Sequence, residues 1–228
     1  MTGEIVWHDL LTHDAGAAKR FYADFLGWDY QFEQAAHFAW SGGEASYPLI
    51  IRNGEAQGGI LDVDLGLSSR WLPYVAVSNV DKAVARASDQ GGQIIRQAFD
   101  IPGVGRTAVV RDPAGGVICP FHPSHTYPPP RGTFVSDTCF SADAQTTEGF
   151  YNRVFDWPAR IIPVRPCPAG NENIIGWFPS LAVADIVGKV EQARGLGATL
   201  IVPSDFQEGC RTAVLRDPVG AVFGLIEP

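Results

Sequence analysis

Residues 106–117 read RTAVVRDPAGGV and residues 211–222 read RTAVLRDPVGAV, so nine of twelve positions are identical. A second echo lies upstream. Residues 14–28 read DAGAAKRFYADFLGW, and residues 143–157 read DAQTTEGFYNRVFDW. Each has an Asp seven residues before a Phe-Tyr pair and closes on Trp. A repeat of this kind fixes the architecture first: the chain is two copies of one domain. Asp14, Phe21, Tyr22 and Trp28 map onto the second copy with a shift of 129, whereas Arg106, Asp112, Pro113 and Gly115 map with a shift of 105. The second copy therefore lacks about 24 residues between Trp157 and about Asp185, which at strand spacing is a hairpin or more.

Each copy divides again. Residues 4–12 read as a strand, and Asp14 stands as N-cap to a helix that buries Ala17, Ala18, Phe21, Tyr22 and Phe25 at helical spacing. Gly27 ends that helix. Three strands are expected at 28–40, 45–52 and 56–63, the last two joined by the hairpin signal Asn53-Gly54. The plan recurs as a strand at 71–78, a helix at 81–91, and strands at 93–99, 106–111 and 116–121, with the Asp-Pro-Ala-Gly turn at 112–115. This is βαβββ, twice. The expected organisation is a first domain over 1–122 (modules 4–64 and 71–122), a proline-rich linker at 123–132, and a shortened second domain over 133–228. The fold class is α+β.

Composition narrows the function classes. The chain has 228 residues, 46% hydrophobic and 18% charged, and a net charge of −8. That balance fits two globular domains of about 100 residues and opposes a nucleic-acid surface, which needs Lys and Arg. Cys119, Cys139, Cys167 and Cys210 form no CxxC pair and read as buried, reduced thiols. No apolar run approaches membrane-span length and the N-terminus is too polar for a signal peptide. We expect a cytoplasmic monomer or homodimer whose partner is a small molecule, with no nucleic acid and no membrane.

Paired βαβββ units carrying FY-x5-W on the first helix and RDPxG before the last strand resemble the vicinal oxygen chelate superfamily, the group of glyoxalase I, extradiol dioxygenases and bleomycin-resistance proteins. The first strand, Val6-Trp7-His8-Asp9-Leu10, is similar to that of its two-domain, glyoxalase-like members. The resemblance implies that paired modules curl into a cup holding substrate and often a divalent metal, bound by His, Gln or Glu. Its last-strand Glu falls at Cys119 in one copy and Gly224 in the other. Its first-strand His falls at Trp7 and Ser136, with His8 and Asp137 one residue off, and the matching places in the other modules are near Leu72 and Phe178. The usual ligand set is absent, so no metal residues and no cofactor are assigned, a non-standard divalent metal remaining an alternative.

Strand alternation places His8 opposite Trp7 and Asp9, and a one-residue change in register would reverse which of them faces the cup. The segment that the second copy lacks supplies further candidates. Glu33 and His37 join His8 and Asp9 as acid–base candidates, while Trp7, Tyr30, Phe32, Phe38, Trp40, Tyr47, Arg52 and Cys119 are candidates for lining a ligand site. Alternation groups Tyr30 with Phe32, and Phe38 with Trp40. An aromatic cup with a few polar groups suits a planar organic molecule. A fold that discards this segment in one copy does not need it for packing, so its retention in the other points to use. Arg106 and Arg211 recur in both copies and read as structural, an Arg111 bond to the Asp112 loop serving as one such contact.

Three functional readings follow. The first is a metal-independent enzyme of proton transfer (isomerisation, dehydration or cyclisation) on a small aromatic or polyketide-like molecule in the N-terminal cup. The alternative is a binding protein that sequesters such a ligand, of the bleomycin-resistance type. A further alternative is a metal-dependent lyase or dioxygenase with an unusual ligand set.

Overall fold

The computed structural model describes residues 3–155, 157, 164–171, 174–207 and 209–228. The first module is β1 (Ile5–Leu11), α1 (Ala15–Leu26), β2 (Asp29–Ala35), β3 (Ala45–Arg52) and β4 (Glu55–Leu61). The second is β5 (Arg70–Ala76), α2 (Val80–Asp89), β6 (Gln93–Ile101), β7 (Gly105–Arg111) and β8 (Val117–Pro123). The third has β9 (Phe134–Ser141), α3 (Ala144–Phe155) and β10 (Val164–Pro166), and the fourth has β11 (Gly176–Ala182), α4 (Ile186–Gly195), β12 (Thr199–Gln207), β13 (Cys210–Arg216) and β14 (Val222–Glu227). The strands form two mixed sheets, ordered β2-β3-β4-β1-β5-β8-β7-β6 and β10-β9-β11-β14-β13-β12. The βαβββ plan is thus present, with the third module reduced among the described residues to one short strand after its helix. Part of the segment where that shortening falls lies outside the described residues.

Local chemistry sets the helices. The Asp14 carboxylate accepts from the Ala17 amide at 2.8 Å and Gly27 closes α1 in the left-handed region. Asp143 and Asp185 cap α3 and α4 in the same way, accepting from Thr146 and Gly188 at 3.0 and 2.9 Å. The Asn53-Gly54 hairpin forms as expected, with both residues at positive φ. One expectation fails: β2 stops at Ala35, not 40, and residues 36–44 form turns with Gly42 and Gly43 at φ near 70°. The six successive non-strand positions 36–41 before the two glycines cannot carry the alternation that would group Phe38 with Trp40 on a strand face.

The chain forms two compact units, each of discontinuous segments. One contains residues 8–71, 130–136 and 178–228, the other residues 1–7, 72–129 and 137–177. The repeat boundary separates copies of sequence, whereas each compact unit combines one module from either copy.

Within the first of these units, α1 meets α4: the Lys189 ammonium donates to the Phe25 carbonyl at 2.9 Å, and Gln192 to that of Asp24 at 3.0 Å. Leu10, Phe21, Tyr22, Phe25, Trp71, Leu181, Phe223 and Leu225 share its core. In the other unit α2 meets α3, with Arg86 donating to the Val154 carbonyl at 3.4 Å. Val75, Val110, Ile118, Phe150, Tyr151, Val154 and Trp177 lie in that core.

The two repeated motifs meet each other across the copies. The Tyr22 hydroxyl donates to Asp217 Oδ2 at 3.0 Å and accepts from the Trp71 indole at 3.3 Å. The Tyr151 hydroxyl donates to Asp112 Oδ2 at 2.5 Å and accepts from the Trp177 indole at 2.6 Å. The other oxygen of each Asp gathers its turn: Asp112 Oδ1 accepts from the Ala114, Gly115 and Gly116 amides at 2.7, 2.7 and 3.0 Å, and Asp217 Oδ1 from Val219 and Ala221 at 3.1 and 2.8 Å. Gly115 and Gly220 take φ of 110° and 103°, which requires glycine in the turn. The FY and DPxG signatures are therefore two halves of one buried polar contact, satisfied on every side as burial demands. Burial drives both tyrosines well above their ordinary range, and it raises Asp112 and Asp217 against the pull of their donors, Asp217 to about 6.

Candidate functional site

Each strand of the first module has one face toward α1 and one away from it. Leu10, Ile50 and Ile60 lie in the core with α1. Asp9 pairs with Gly59, and Gly59 with Leu49, so these three share the other face. Trp7, two residues before Asp9, shares it and is half-buried.

On that face the Tyr47 hydroxyl donates to Asp9 Oδ1 at 2.6 Å, with Asp9 only 2% exposed. The contact needs glycine at 59. A Cβ there would fall inside the Tyr47 hydroxyl and stand 2.5 Å from Asp9 Oδ1. Phe38, in the turn after β2, comes back to Tyr47 with ring centroids 6.0 Å apart, and Trp40 is buried in the same turn. Glu33 pairs with Tyr47 across β2 and β3, on the same face but exposed. His37 is exposed in its turn.

The other candidates lie elsewhere. His8 is buried on the α1 side, its ring 4.3 Å from that of Phe134, and Phe134 packs against Trp28 and Trp71 of the core. Tyr30 and Phe32 also turn toward α1. The Tyr30 hydroxyl donates to the Lys19 carbonyl at 3.1 Å, and the Lys19 ammonium stands 4.7 Å from the Phe32 ring. Burial raises the Tyr30 phenol. Arg52 donates to the Gly132 carbonyl at 3.1 Å at the end of its hairpin. Of the sequence candidates, the fold thus brings Asp9, Tyr47, Phe38 and Glu33 together.

The second module has a comparable face. Val75, Ala108, Val110 and Ile118 turn to its helix core. Tyr74, Cys119 and Phe121 therefore point the other way, Tyr74 meeting Phe121 edge to face at 5.9 Å. Cys119 is fully buried and in no disulfide. Arg96 pairs with Val109 and Phe99 with Thr107, so both stand on this face, the Arg96 guanidinium 3.7 Å from the Phe99 ring centroid. Sequence reasoning missed Arg96. Its signal was the cation in QIIRQAFDI that two β-bulges turn inward. Arg106 is structural as expected, bound to Asp81 and Asp100 at 2.9 and 3.1 Å. Arg111 instead donates to Gln93 at 3.0 Å, across the ladder and not into the Asp112 loop.

Fold relatives of this kind imply a divalent metal. The positions where such ligands would stand hold Trp7, Leu72 and Cys119 in one copy and Ser136, Phe178 and Gly224 in the other. Among the described residues no three His, Cys, Asp or Glu side chains gather where they could hold an ion. Among the described residues, the side chains at those positions do not fit that group. No helix among the described residues is long and apolar enough to cross a membrane.

The chain is 28% identical over 249 residues to "Putative glyoxylase CFP32" of Mycobacterium bovis, covering 97% of this chain and 94% of that one. It is 24% identical over 267 residues to "Anthracycline biosynthesis protein DauV" of Streptomyces sp. strain C5, covering 99% and 93%. In fold it is similar to homoprotocatechuate 2,3-dioxygenase of Arthrobacter globiformis, with TM-score 0.63, 13% identity and 100% and 80% of the two chains covered. It is also similar to the Mn(II)-bound glyoxalase of Novosphingobium aromaticivorans, with TM-score 0.58, 14% identity and 99% and 82% covered. The model of the Glyoxalase/Bleomycin resistance protein/Dioxygenase superfamily matches residues 4–119, and the chain belongs to that superfamily.

Proposed function

We propose that the protein catalyses proton transfer on a small planar ring molecule held in its N-terminal copy, with Asp9 as the base and Tyr47 as its hydrogen-bonded partner. The buried Asp9–Tyr47 contact of 2.6 Å carries this reading. A carboxylate held by a short, charge-assisted bond is fixed in place before substrate arrives. In the step itself, Asp9 takes a proton from a carbon next to a ring carbonyl and the C–H electrons move onto the carbonyl oxygen. Return of the proton at another carbon completes an isomerisation; loss of a β-hydroxyl as water completes a dehydration. No part of this step runs through a metal ion. The aromatic substrate class is supported by Phe38 beside Tyr47 and by relatives named for anthracycline biosynthesis.

The test is exchange of the acidic ring-methylene hydrogens of 2-tetralone in D2O, followed by NMR. Wild type accelerates exchange, and Asp9→Asn lowers that acceleration by about 100-fold or more, the scale of general-base catalysis. Unchanged exchange in Asp9→Asn sinks the assignment. Tight binding of planar ligands without exchange would favour the sequestering protein instead, a reading supported by the same aromatic wall.

A further inference from the structure

Among the described residues, Asn53 is the one non-glycine residue at positive φ, 54°. With Gly54, at φ 79°, it forms the two-residue turn between β3 and β4. The ladder closes at the Arg52–Glu55 pair, so neither central N–H of the turn is engaged by the opposite strand. Both residues are exposed, and no atom lies within 4 Å of where a Cβ on Gly54 would stand. The Gly54 nitrogen is therefore an unhindered, solvated neighbour of the Asn53 side-chain amide. The other described asparagines differ. Asn79 has its side-chain oxygen held by the Lys82 amide at 2.8 Å and is followed by β-branched Val80. Asn152 lies within α3 before Arg153, and Asn171 precedes Glu172.

We propose that Asn53 is a site of spontaneous covalent modification, deamidating through the Gly54 backbone nitrogen to leave aspartate and isoaspartate at position 53. The Gly54 nitrogen gives up its proton to water or hydroxide and bonds to Asn53 Cγ. The Cγ–NH2 bond breaks, and with a proton from water the amide leaves as ammonia. The resulting five-membered imide takes up one water. Opening at Cγ gives an aspartyl residue; opening at the main-chain carbonyl gives isoaspartate, whose main chain runs through the former side chain and is one methylene longer. Either product adds a negative charge beside Glu55 in a chain already at −8. An aspartyl residue can keep the left-handed conformation that Asn53 holds. Isoaspartate cannot, because a two-residue turn has no room for an added backbone atom. That turn sets the register of β3, which carries Tyr47, against β4, which carries Gly59. The modification does not depend on Asp9 acting as base.

The full chain is held at pH 8.5 and 37 °C beside a free peptide of residues 49–57. Isoaspartyl groups are counted by enzymatic carboxyl methylation and located by peptide mass mapping. Wild type is expected to accumulate them at position 53, at a rate within about tenfold of the free peptide. The signal is lost in Asn53→Gly, whose Gly-Gly turn keeps the hairpin. The isoaspartyl form, separated by ion exchange, should unfold at a lower urea midpoint than Asn53→Asp, which adds the same charge without the methylene. Conversion more than about tenfold slower than in the peptide overturns the proposal. So does isoaspartate arising mainly at another position, a signal that survives in Asn53→Gly, or a midpoint equal to that of Asn53→Asp.

Discussion

Gly59→Ala introduces one methyl group at the closest point of the proposed site. The backbone tolerates it, since Gly59 has no positive φ. Space does not. The new Cβ would occupy the position of the Tyr47 hydroxyl and stand 2.5 Å from Asp9 Oδ1. Tyr47 must swing aside, which breaks its 2.6 Å bond to a carboxylate that is 2% exposed. Losing a donor to a buried charged group costs about 1–3 kcal/mol, and forcing a methyl into a packed site costs about 1–3 kcal/mol more. Removing a strand glycine returns roughly 0.5–1 kcal/mol. The net expectation is a destabilisation of about 1–5 kcal/mol, read as a fall in the urea midpoint with an unchanged slope. The double variant Gly59→Ala/Tyr47→Ala isolates the cause. With the ring gone the methyl meets only Asp9 Oδ1 of these two side chains, so adding Gly59→Ala to Tyr47→Ala should cost clearly less than Gly59→Ala alone, a non-additive cycle. If Gly59→Ala is neutral alone, or costs the same with and without the Tyr47 ring, the geometry argued for this site is wrong.

Other outcomes follow from the same structure. Asp217 has a folded pKa of about 6 against an ordinary value near ~3.9, so its protonated form is favoured by folding. That stability is present below about pH 4 and lost as pH rises through about 6, up to ~3 kcal/mol in all. Wild type should therefore lose ground against Asp217→Asn between pH 4 and 7 in urea unfolding, and a difference constant over that range would refute the assignment. Tyr22→Phe and Tyr151→Phe each remove a donor from a buried carboxylate and an acceptor from an indole. Each should cost about 1–3 kcal/mol, and the double variant should cost close to the sum, as measured by denaturant titration. His8→Phe keeps the ring packing on Phe134 and should leave tetralone exchange within about threefold of wild type, on the scale set by general-base loss; a loss as deep as that of Asp9→Asn would place His8 in the chemistry.

The parts of this molecule legible in the sequence are those whose signal is local. Asp14 and Gly27 bound α1, Asn53-Gly54 turns a hairpin, and the repeated FY and RDPxG segments betray the duplication. What those repeats do was not legible, because Tyr22 meets Asp217 across 195 positions and the partner lies in the other copy. Alternation correctly set Asp9 and His8 on opposite faces, but it could not say which face was which. That follows from packing: Leu10, Ile50 and Ile60 are drawn under α1 and leave Asp9 on the other side. The misreading of Phe38 and Trp40 came from extending β2 over a turn whose glycines begin only at 42. Tyr30 and Phe32 were correctly paired with each other, yet their face is the one that meets Lys19 of α1. Arg96 was hidden because a cation in a strand otherwise reads as solvent-facing, and a bulge is needed to aim it inward.

The central claim is that Asp9 with Tyr47 moves a proton without a metal ion. The measurement that meets it most directly is 2-tetralone exchange by the full chain after exhaustive chelation, with residual metal counted by mass spectrometry in the same sample. The account predicts that acceleration persists undiminished in metal-free protein and disappears in Asp9→Asn. Exchange that vanishes on chelation and returns with Fe(II), Mn(II), Ni(II) or Zn(II) would contradict it.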